Sequence, residues 1–336
     1  MAVAPSSSLF RTLLDGLDDP ALIVEGERTL AANATARRLF GNGIEDADIR
    51  LAIRQPQALE LVLSGHGGTI EVGGIAGAER SWGMSVRPLG SGLQLVRLTD
   101  RSAIRAAEKA RVDFVANASH ELRTPLATII GYAETLAENG DLDEELRRRF
   151  GNNIHGEARR MLRIVEDLMD LSRIEADRFA APRGRVFLKD IVSLAAENGR
   201  ALAEGRGCRI ETDVTGDLPP VAGDFAQLSQ LLDNLLANAI RYGCIRRDAV
   251  VSIAATQDRG QALLSVRDQG EGIAAMHIPR LTERFYRVDA ARSRDSGGTG
   301  LGLAIVKHIV ERHRGRLEIR SRPGNGTEVS VHLPFA

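Results

Sequence analysis

Between about residues 101 and 177 the chain carries two apolar stripes that constrain its fold more than any other feature. Val115, Ala118, Leu122, Pro125, Ile129, Tyr132 and Leu136 follow one another in alternating steps of three and four residues. Ile154, Ala158, Met161, Val165, Leu168 and Ser172 repeat that rhythm. Steps of three and four keep side chains on one face of a helix, so each run predicts a heptad-patterned helix. The polar, glycine-containing segment ENGDLD at 138–143 is short enough to turn one helix back against the other. A single antiparallel hairpin cannot bury both stripes, whereas two hairpins pair as a four-helix bundle. A homodimer is therefore expected. Upstream, Ala103, Ala107, Ala110 and Phe114 reach Ala118 through consecutive four-residue steps. That is the pattern of a stutter, which locally unwinds a coiled coil and offers a route for a signal, or else simply an imperfect linker helix.

The regions on either side are mixed. In residues 1–100, ALIVEG and RTLAA read as strands joined by a turn, and NATARRLFG as a short helix ended by Gly41. GTIEV, SWGMSVRPL and GLQLVRL are three further strands between glycine-rich turns, which makes this an α+β domain. From about 181 to 336, VFLKDIVSLAAENGRALAEG gives a strand edge and a helix, and FAQLSQLLDNLLANAIRYG a strongly amphipathic helix. AVVSIAATQ and ALLSVRDQG are strands. LGLAIVKHIVERHRG is a helix ended by Gly315, and RLEIRSRPGNGTEVSVHLPF closes as a hairpin about Pro-Gly-Asn-Gly.

Charge and cysteine content narrow the function classes. Lys and Arg (44) nearly balance Asp and Glu (45), so nothing directs the chain to nucleic acid. Cys208 and Cys244 are too few for a disulfide framework and lack metal-ligand spacing. They are expected as unpaired thiols of a reducing compartment. No run approaches the roughly 18 apolar residues of a membrane span, and MAVAPSSSLF lacks the pattern of a secretory signal. The expectation is a cytoplasmic protein without a membrane segment of its own, or the cytoplasmic portion of an inner-membrane sensor with membrane segments upstream.

Two glycine clusters suggest phosphate chemistry. Asp268-Gln-Gly270-Glu-Gly272 follows a strand, and Gly297-Gly298-Thr299-Gly300-Leu301-Gly302 opens a helix. Glycines before a helix N-terminus let backbone N–H groups approach phosphate where the helix dipole favours negative charge. No Lys-Ser/Thr follows the last glycine, so this is not a Walker loop. Either run alone could be a tight turn. Asn234 and Asn238 are four residues apart and share a helix face distinct from that of Leu231, Leu235 and Ala239. Paired amides are most often solvated helix surface; beside a phosphate cradle their oxygens suit Mg²⁺.

DNLLANAIRYG, DQGEGI, ERFYRVD and GGTGLGLAIVK, in that order, resemble the N, G1, F and G2 boxes of the ATP-binding domain of histidine kinases, in the GHKL class. The resemblance spans about 185–334. It implies a layered α/β sandwich binding ATP and Mg²⁺ under a lid at 287–298. It further implies that Asn238 holds Mg²⁺, with Asn234 beside the phosphates. Arg241 would support the phosphates, Tyr242 would line the adenine pocket, and Asp268 would accept from the adenine amino group. Gly270, Gly272, Gly298, Gly300 and Gly302 would give backbone room, with Thr299 and Leu301 in the same loop, and Phe285 and Arg287 would mark the hinge of the lid. Glu271 stands between the G1 glycines where smaller or uncharged residues are common.

FVANASHELRTPLATIIGYAETL resembles the phosphoacceptor box of the same family. A lone histidine on a helix is usually surface or core. His120, however, lies two residues past heptad position Ala118 and so faces away from the seam, Glu121 adjoins it, and Pro125 follows, where a kink is expected. The resemblance makes His120 the nucleophile, Glu121 its general base and Thr124 the residue that positions water for dephosphorylating a partner. That partner would be a response regulator with an acceptor aspartate, docking near Ala127, Gly131 and Tyr132. Arg123 reads as helix surface.

Residues 8–100 resemble a PAS sensor domain, with Asn33 at the start of the helix and Leu98-Thr99-Asp100 closing the last strand. No thiol lies within 1–100, which excludes a flavin–thiol photoreceptor. His66, between Gly65 and Gly67-Gly68, reads as a loop residue before a haem ligand, and Trp82 as core or pocket lining. The three parts, 1–100, 101–180 and 181–336, together resemble the phosphate-regulon sensor kinases of bacteria. Another GHKL enzyme, such as a serine kinase, would share the pocket but has no use for HELRTP on a hairpin. A sensory scaffold that binds ATP without turnover is the rival from another class.

Overall fold

The structure is a computed structural model and describes residues 7–75, 80–138, 142–177, 180–246, 248–289 and 298–336. The chain forms two compact units, Met1–Asp113 and Phe114–Ala336.

The first unit is built on an antiparallel sheet. Its strands are β1 (Ala21–Glu25), β2 (Arg28–Ala32), β3 (Gly68–Gly73), β4 (Ser81–Gly90) and β5 (Leu93–Asp100), in the order β2-β1-β5-β4-β3. Strand alternation divides β1 between two cores. Leu22 and Val24 join Trp82, Met84, Val96 and Leu98 on one face. Ala21 and Ile23 join Leu14 and Ala31 on the other. Helices α1 (Ser7–Leu14), α2 (Ala34–Phe40) and α3 (Pro56–Leu63) complete the unit; the sequence reading anticipated α2 but neither α1 nor α3. Asn33 does more than begin α2. Its buried side chain accepts from Ala36 N–H at 2.8 Å and Ala21 N–H at 3.1 Å, and donates to Leu17 and Asp19 carbonyls. It thereby caps the helix and ties down the segment before β1. Trp82 is core, its Nε1–H donating to the Ile75 carbonyl at 3.1 Å, and His66 is an exposed loop residue.

The second unit begins within α4 (Ser102–Glu138) and continues into α5 (Glu144–Ala176). Asp143 caps α5 by accepting from Leu146 N–H at 2.6 Å, and Glu144 and Glu145 favour the positive end of the helix dipole. Of the expected turn, 139–141 lie outside the described residues. Helix α4 continues through Pro125, where the sequence leads one to expect a kink. Proline nevertheless has no N–H to give the carbonyl of Glu121. The apolar stripes also need correction. Ala158, Val165 and Ser172 are exposed, while Ile164, Leu171 and Ile174 are buried. Helix α5 therefore has a second apolar face, with Leu171 and Ile174 in the core of the domain that follows.

That domain has a mixed sheet of β7 (Arg209–Val214), β9 (Val250–Asp258), β10 (Gln261–Arg267), β11 (Arg316–Ser321) and β12 (Thr327–Leu333), in the order β11-β12-β10-β9-β7. Only the β7–β9 pair is parallel. Alternate residues Val251, Ile253, Ala255, Ala262, Leu264 and Val266 are buried in one core with helices α6 (Leu188–Gly205), α7 (Phe225–Gly243) and α8 (Gly302–Arg312). Short strands β6 (Arg185–Val186) and β8 (Val221–Ala222) pair beside it. Helix α7 buries Leu228, Leu231, Leu232, Leu235, Leu236 and Ile240, the stripe its sequence spells out. Gly315 follows α8 as expected, but the positive φ is carried by Arg314 (53°). Glycine is required at 315 for a different reason, since a Cβ there would lie 2.5 Å from the His332 carbonyl oxygen.

The two thiols are a second correction. Cys208 and Cys244, expected to be unpaired, are joined by a disulfide with Cα atoms 5.8 Å apart. Cys244 ends α7 and Cys208 precedes β7. Folding brings these distant positions to one edge of the domain, a proximity that residue spacing does not reveal. Among the described residues no helix is long and apolar enough to cross a membrane.

Candidate active site

A cavity of about 710 Å³ opens between α7, the segment after β10 and the start of α8. Asn234, Asn238, Arg241, Tyr242, Asp268, Gly270, Gly272, Arg287, Gly298, Thr299, Gly300 and Gly302 all line it. The sequence reading named each of them, from segments as far apart as 234 and 302. Leu301, by contrast, is fully buried in the core, and Phe285 packs against that core. Residues 290–297, most of the expected lid, lie outside the described residues.

Asp268 is held at the base of the cavity by its backbone surroundings. Its Oδ1 accepts from Gly270 N–H at 2.8 Å and from Thr327 N–H at 3.2 Å. Burial pushes its pKa above the ordinary carboxylate range, and these two hydrogen bonds oppose the rise. Glycines make the approach possible. A Cβ on Gly243 would fall 2.4 Å from Asp268 Cβ, and one on Gly270 would fall 2.5 Å from the Tyr242 carbonyl oxygen. At the opposite wall, Gly302 leaves room for Asn234, whose Oδ1 would lie 3.0 Å from a Cβ there. Gly300 takes a φ of 76°, and its carbonyl accepts from Phe285 N–H at 2.8 Å. Phe285 itself has a positive φ of 63°. A positive φ at a bulky residue is the kind of strained backbone kept at functional sites.

Cation and amides converge on the same wall. Arg241 is half-buried and donates to Asn238 Oδ1 at 3.4 Å; burial lowers its pKa from the ordinary arginine value. The amide oxygens of Asn234 and Asn238 are the hard ligands that Mg²⁺ takes, and the glycine approaches give phosphate groups backbone N–H donors. The residues present therefore fit a magnesium nucleotide.

The sequence reading missed what α5 contributes. Arg163, Glu166 and Asp167 also line the cavity. Burial raises the Asp167 pKa, against a hydrogen bond with the Thr299 side chain. Helix α5 is joined to the sheet domain at further points. Gln230 donates to Asp170 at 2.5 Å, Arg284 pairs with Glu175, and His308 lies 3.2 Å from the same carboxylate. Phe114 of α4 stacks near Phe285 with ring centroids 6.0 Å apart. No residue pattern on α5 alone could announce these contacts, because they belong to the face opposite its heptad stripe.

His120 is exposed on α4, and Thr124 Oγ1 donates back to its carbonyl at 3.3 Å. Glu121, the next residue, is engaged from two directions. Its Oε2 accepts from Arg287 Nη2 at 2.9 Å and from Arg160 Nη2 at 3.3 Å. Arg287 Nη2 also donates to the Gly298 carbonyl at 2.8 Å. The histidine's neighbour is thus connected to the glycine-rich loop of the cavity through one guanidinium.

Three family models match the chain in order: the PAS domain over 8–69, the His Kinase A (phospho-acceptor) domain over 110–177, and the histidine kinase-, DNA gyrase B- and HSP90-like ATPase over 223–336. The phosphate regulon sensor protein PhoR of Pseudomonas aeruginosa is 41% identical over 241 residues, 72% of this chain and 53% of its own length. The sensor-like histidine kinase SenX3 of Mycobacterium tuberculosis is 39% identical, across 71% of this chain and 58% of its own. The chain thus spans a little over half the length of these curated relatives. Among solved structures, full-length ShkA in complex with AMPPNP is 29% identical with a TM-score of 0.50, covering 66% of this chain and 45% of that one. The ordered domains, the HELRTP segment on its hairpin and the glycine-lined cavity agree with these likenesses: the chain carries the PAS, phospho-acceptor and ATPase domains that match the sensor histidine kinases.

Proposed function

We propose that this chain is an ATP-dependent protein-histidine kinase that phosphorylates His120 and passes the phosphoryl group to an aspartate of a response regulator. The observation that carries the reading is the Glu121–Arg287–Gly298 connection, which joins the acceptor's neighbour to the nucleotide cavity within a single chain. The division of labour would be sensing in 1–100, dimerisation and phosphotransfer in 101–180, and ATP binding in 181–336.

One imidazole nitrogen of His120 attacks the γ-phosphorus of ATP. The N–P bond forms as the bond to the β–γ bridging oxygen breaks, and ADP leaves with that electron pair. The other ring nitrogen gives its proton to the Glu121 carboxylate. Arg241 faces the phosphates and offsets their charge, and Asp268 accepts from the adenine amino group. Mg²⁺, held through Asn238 with Asn234 beside it, would neutralise charge on the phosphate oxygens. The bond from Arg287 to Glu121 of the same chain supports transfer within one subunit. Exposed Val115, Leu126, Ile130, Leu162, Val165 and Met169 on the hairpin would be covered by a second copy in a four-helix bundle. Thr124, exposed beside His120, would position water for dephosphorylating the regulator.

Incubation with γ-labelled ATP and Mg²⁺ tests this reading. Acid-labile, alkali-stable label is expected on the wild type and on neither His120→Gln nor Asn238→Ala. Label that survives in His120→Gln would move the acceptor elsewhere. ATP binding without any label would favour the scaffold.

A further inference from the structure

Arg160 has no role in the reading above, yet its position is unusual. It lies on α5, and its side chain is only 10% exposed. Burying a guanidinium is costly unless it is paired and its donors are used. Its contacts are with two carboxylates, Glu121 at 3.3 Å and Glu157 at 3.8 Å. Its Nε has no acceptor among the described residues. A staple between two helices needs no buried charge, because apolar pairs on the same faces would do it at less cost.

What distinguishes the two guanidinium groups on Glu121 is the part of the protein each belongs to. Arg160 is carried by α5, the companion helix of the hairpin. Arg287 is carried by the segment next to the glycine-rich loop and is also bonded to Gly298. Both meet the same oxygen, Oε2, leaving Oε1 for other work. When phosphates occupy the cavity they compete for Arg287, since a guanidinium serves phosphate oxygens as well as carboxylates. Arg160, unlike Arg287, does not line the cavity, and it keeps Glu121 in place.

We propose, on the reading of Glu121 as the general base, that Arg160 is a positioning residue for phosphorylation of His120. It holds Oε2 of Glu121 so that the remaining oxygen stays directed to the proton leaving the imidazole ring. Misplacing a catalytic group by about 1 Å costs on the order of 100-fold, so losing this hold lowers turnover without touching nucleotide binding.

The test compares the full chain with Arg160→Gln and Arg160→Lys, each alone and with Glu121→Gln. Arg160→Gln is expected to reduce kcat for autophosphorylation roughly 10- to 100-fold, with KM for ATP within about twofold. Arg160→Lys, which keeps the charge but loses the fork, falls between. In the Glu121→Gln background neither change has a further effect. Unchanged kcat in Arg160→Gln, or an equal loss with and without Glu121, overturns the proposal. A readout independent of turnover comes from ¹⁵N spectra of the arginine guanidinium groups. A restrained Arg160 Nη signal that moves in Glu121→Gln supports the pairing, even where wild type takes no label and the kinase reading itself has failed. A signal that does not respond to Glu121→Gln refutes it.

Discussion

Gly243 and Asp268 approach so closely that a methyl group on the glycine would lie 2.4 Å from the Asp268 Cβ. The last turn of α7 and the end of β10 can only meet there without a side chain. Gly243→Ala is therefore expected to push Asp268 out of the cavity. Forcing one extra carbon into a packed site costs about 1–3 kcal/mol, and here the loss falls on nucleotide binding. Titration with a fluorescent ATP analogue should show affinity at least roughly tenfold weaker. Unchanged affinity would mean that Asp268 does not contact the base.

Asp268 also gives nucleotide affinity a pH dependence. Burial raises its pKa above the ordinary value of 3.8. An adenine amino group donates best to the ionised carboxylate, so binding favours ionisation. Affinity is then full above the raised pKa and falls as pH is lowered through it. Stability has the opposite sign. A raised carboxylate pKa contributes stability below 3.8 that is lost as pH rises through the folded value. Asp268→Asn should thus weaken ATP binding by about 10- to 100-fold, with no fall in the Tm of the ligand-free protein. Calorimetric titration between pH 7 and 4.5, with melts alongside, checks both.

His313 is buried between α7 and α8. Its Nε2 accepts from Asp224 N–H at 3.0 Å, and its Nδ1 lies 2.8 Å from the Ile309 carbonyl oxygen. The first bond requires the neutral ring with its proton on Nδ1. Burial lowers its pKa from 6.5. A depressed pKa contributes stability that is full above 6.5 and lost as pH falls through the folded value. Denaturant midpoints should therefore decline in that window for wild type. His313→Gln should start about 1–3 kcal/mol lower at pH 7.5 and lack that component of the decline.

The Cys208–Cys244 bridge closes 36 residues of separation. In the chain-entropy picture a loop of that length contributes about 4 kcal/mol by restricting the unfolded state. Unfolding in urea with and without reductant should separate by roughly that amount, and Cys208→Ser should match the reduced wild type. Coincident curves would contradict it.

What the sequence made legible, and what it did not, follows from where each signal resides. The glycine runs and the Asn234–Asn238 pair could be read directly, because they work through the backbone or a fixed helical spacing, whereas Asp268 was picked out by the resemblance of its segment to a known box. The hairpin was equally readable, since a heptad stripe is local. Arg160, Asp167 and the Cys208–Cys244 pair were not. Their roles depend on which face of α5 meets the sheet domain and on which helix and strand ends lie side by side, and both are set by tertiary packing. Pro125 is the converse case: a local rule marks it as a disruptor of helices, and α4 continues on both sides of it.

The central claim is that the nucleotide cavity serves the histidine of its own chain. Mixed dimers made by exchanging His120→Gln subunits with Asn238→Ala subunits test it directly. Each mixed dimer holds one intact cavity and one intact histidine, on different chains. With γ-labelled ATP the account predicts that these dimers take no label, while wild-type subunits exchanged with His120→Gln label on the wild-type chain. Label on the Asn238→Ala chain of the mixed dimer would show transfer between subunits and contradict the account.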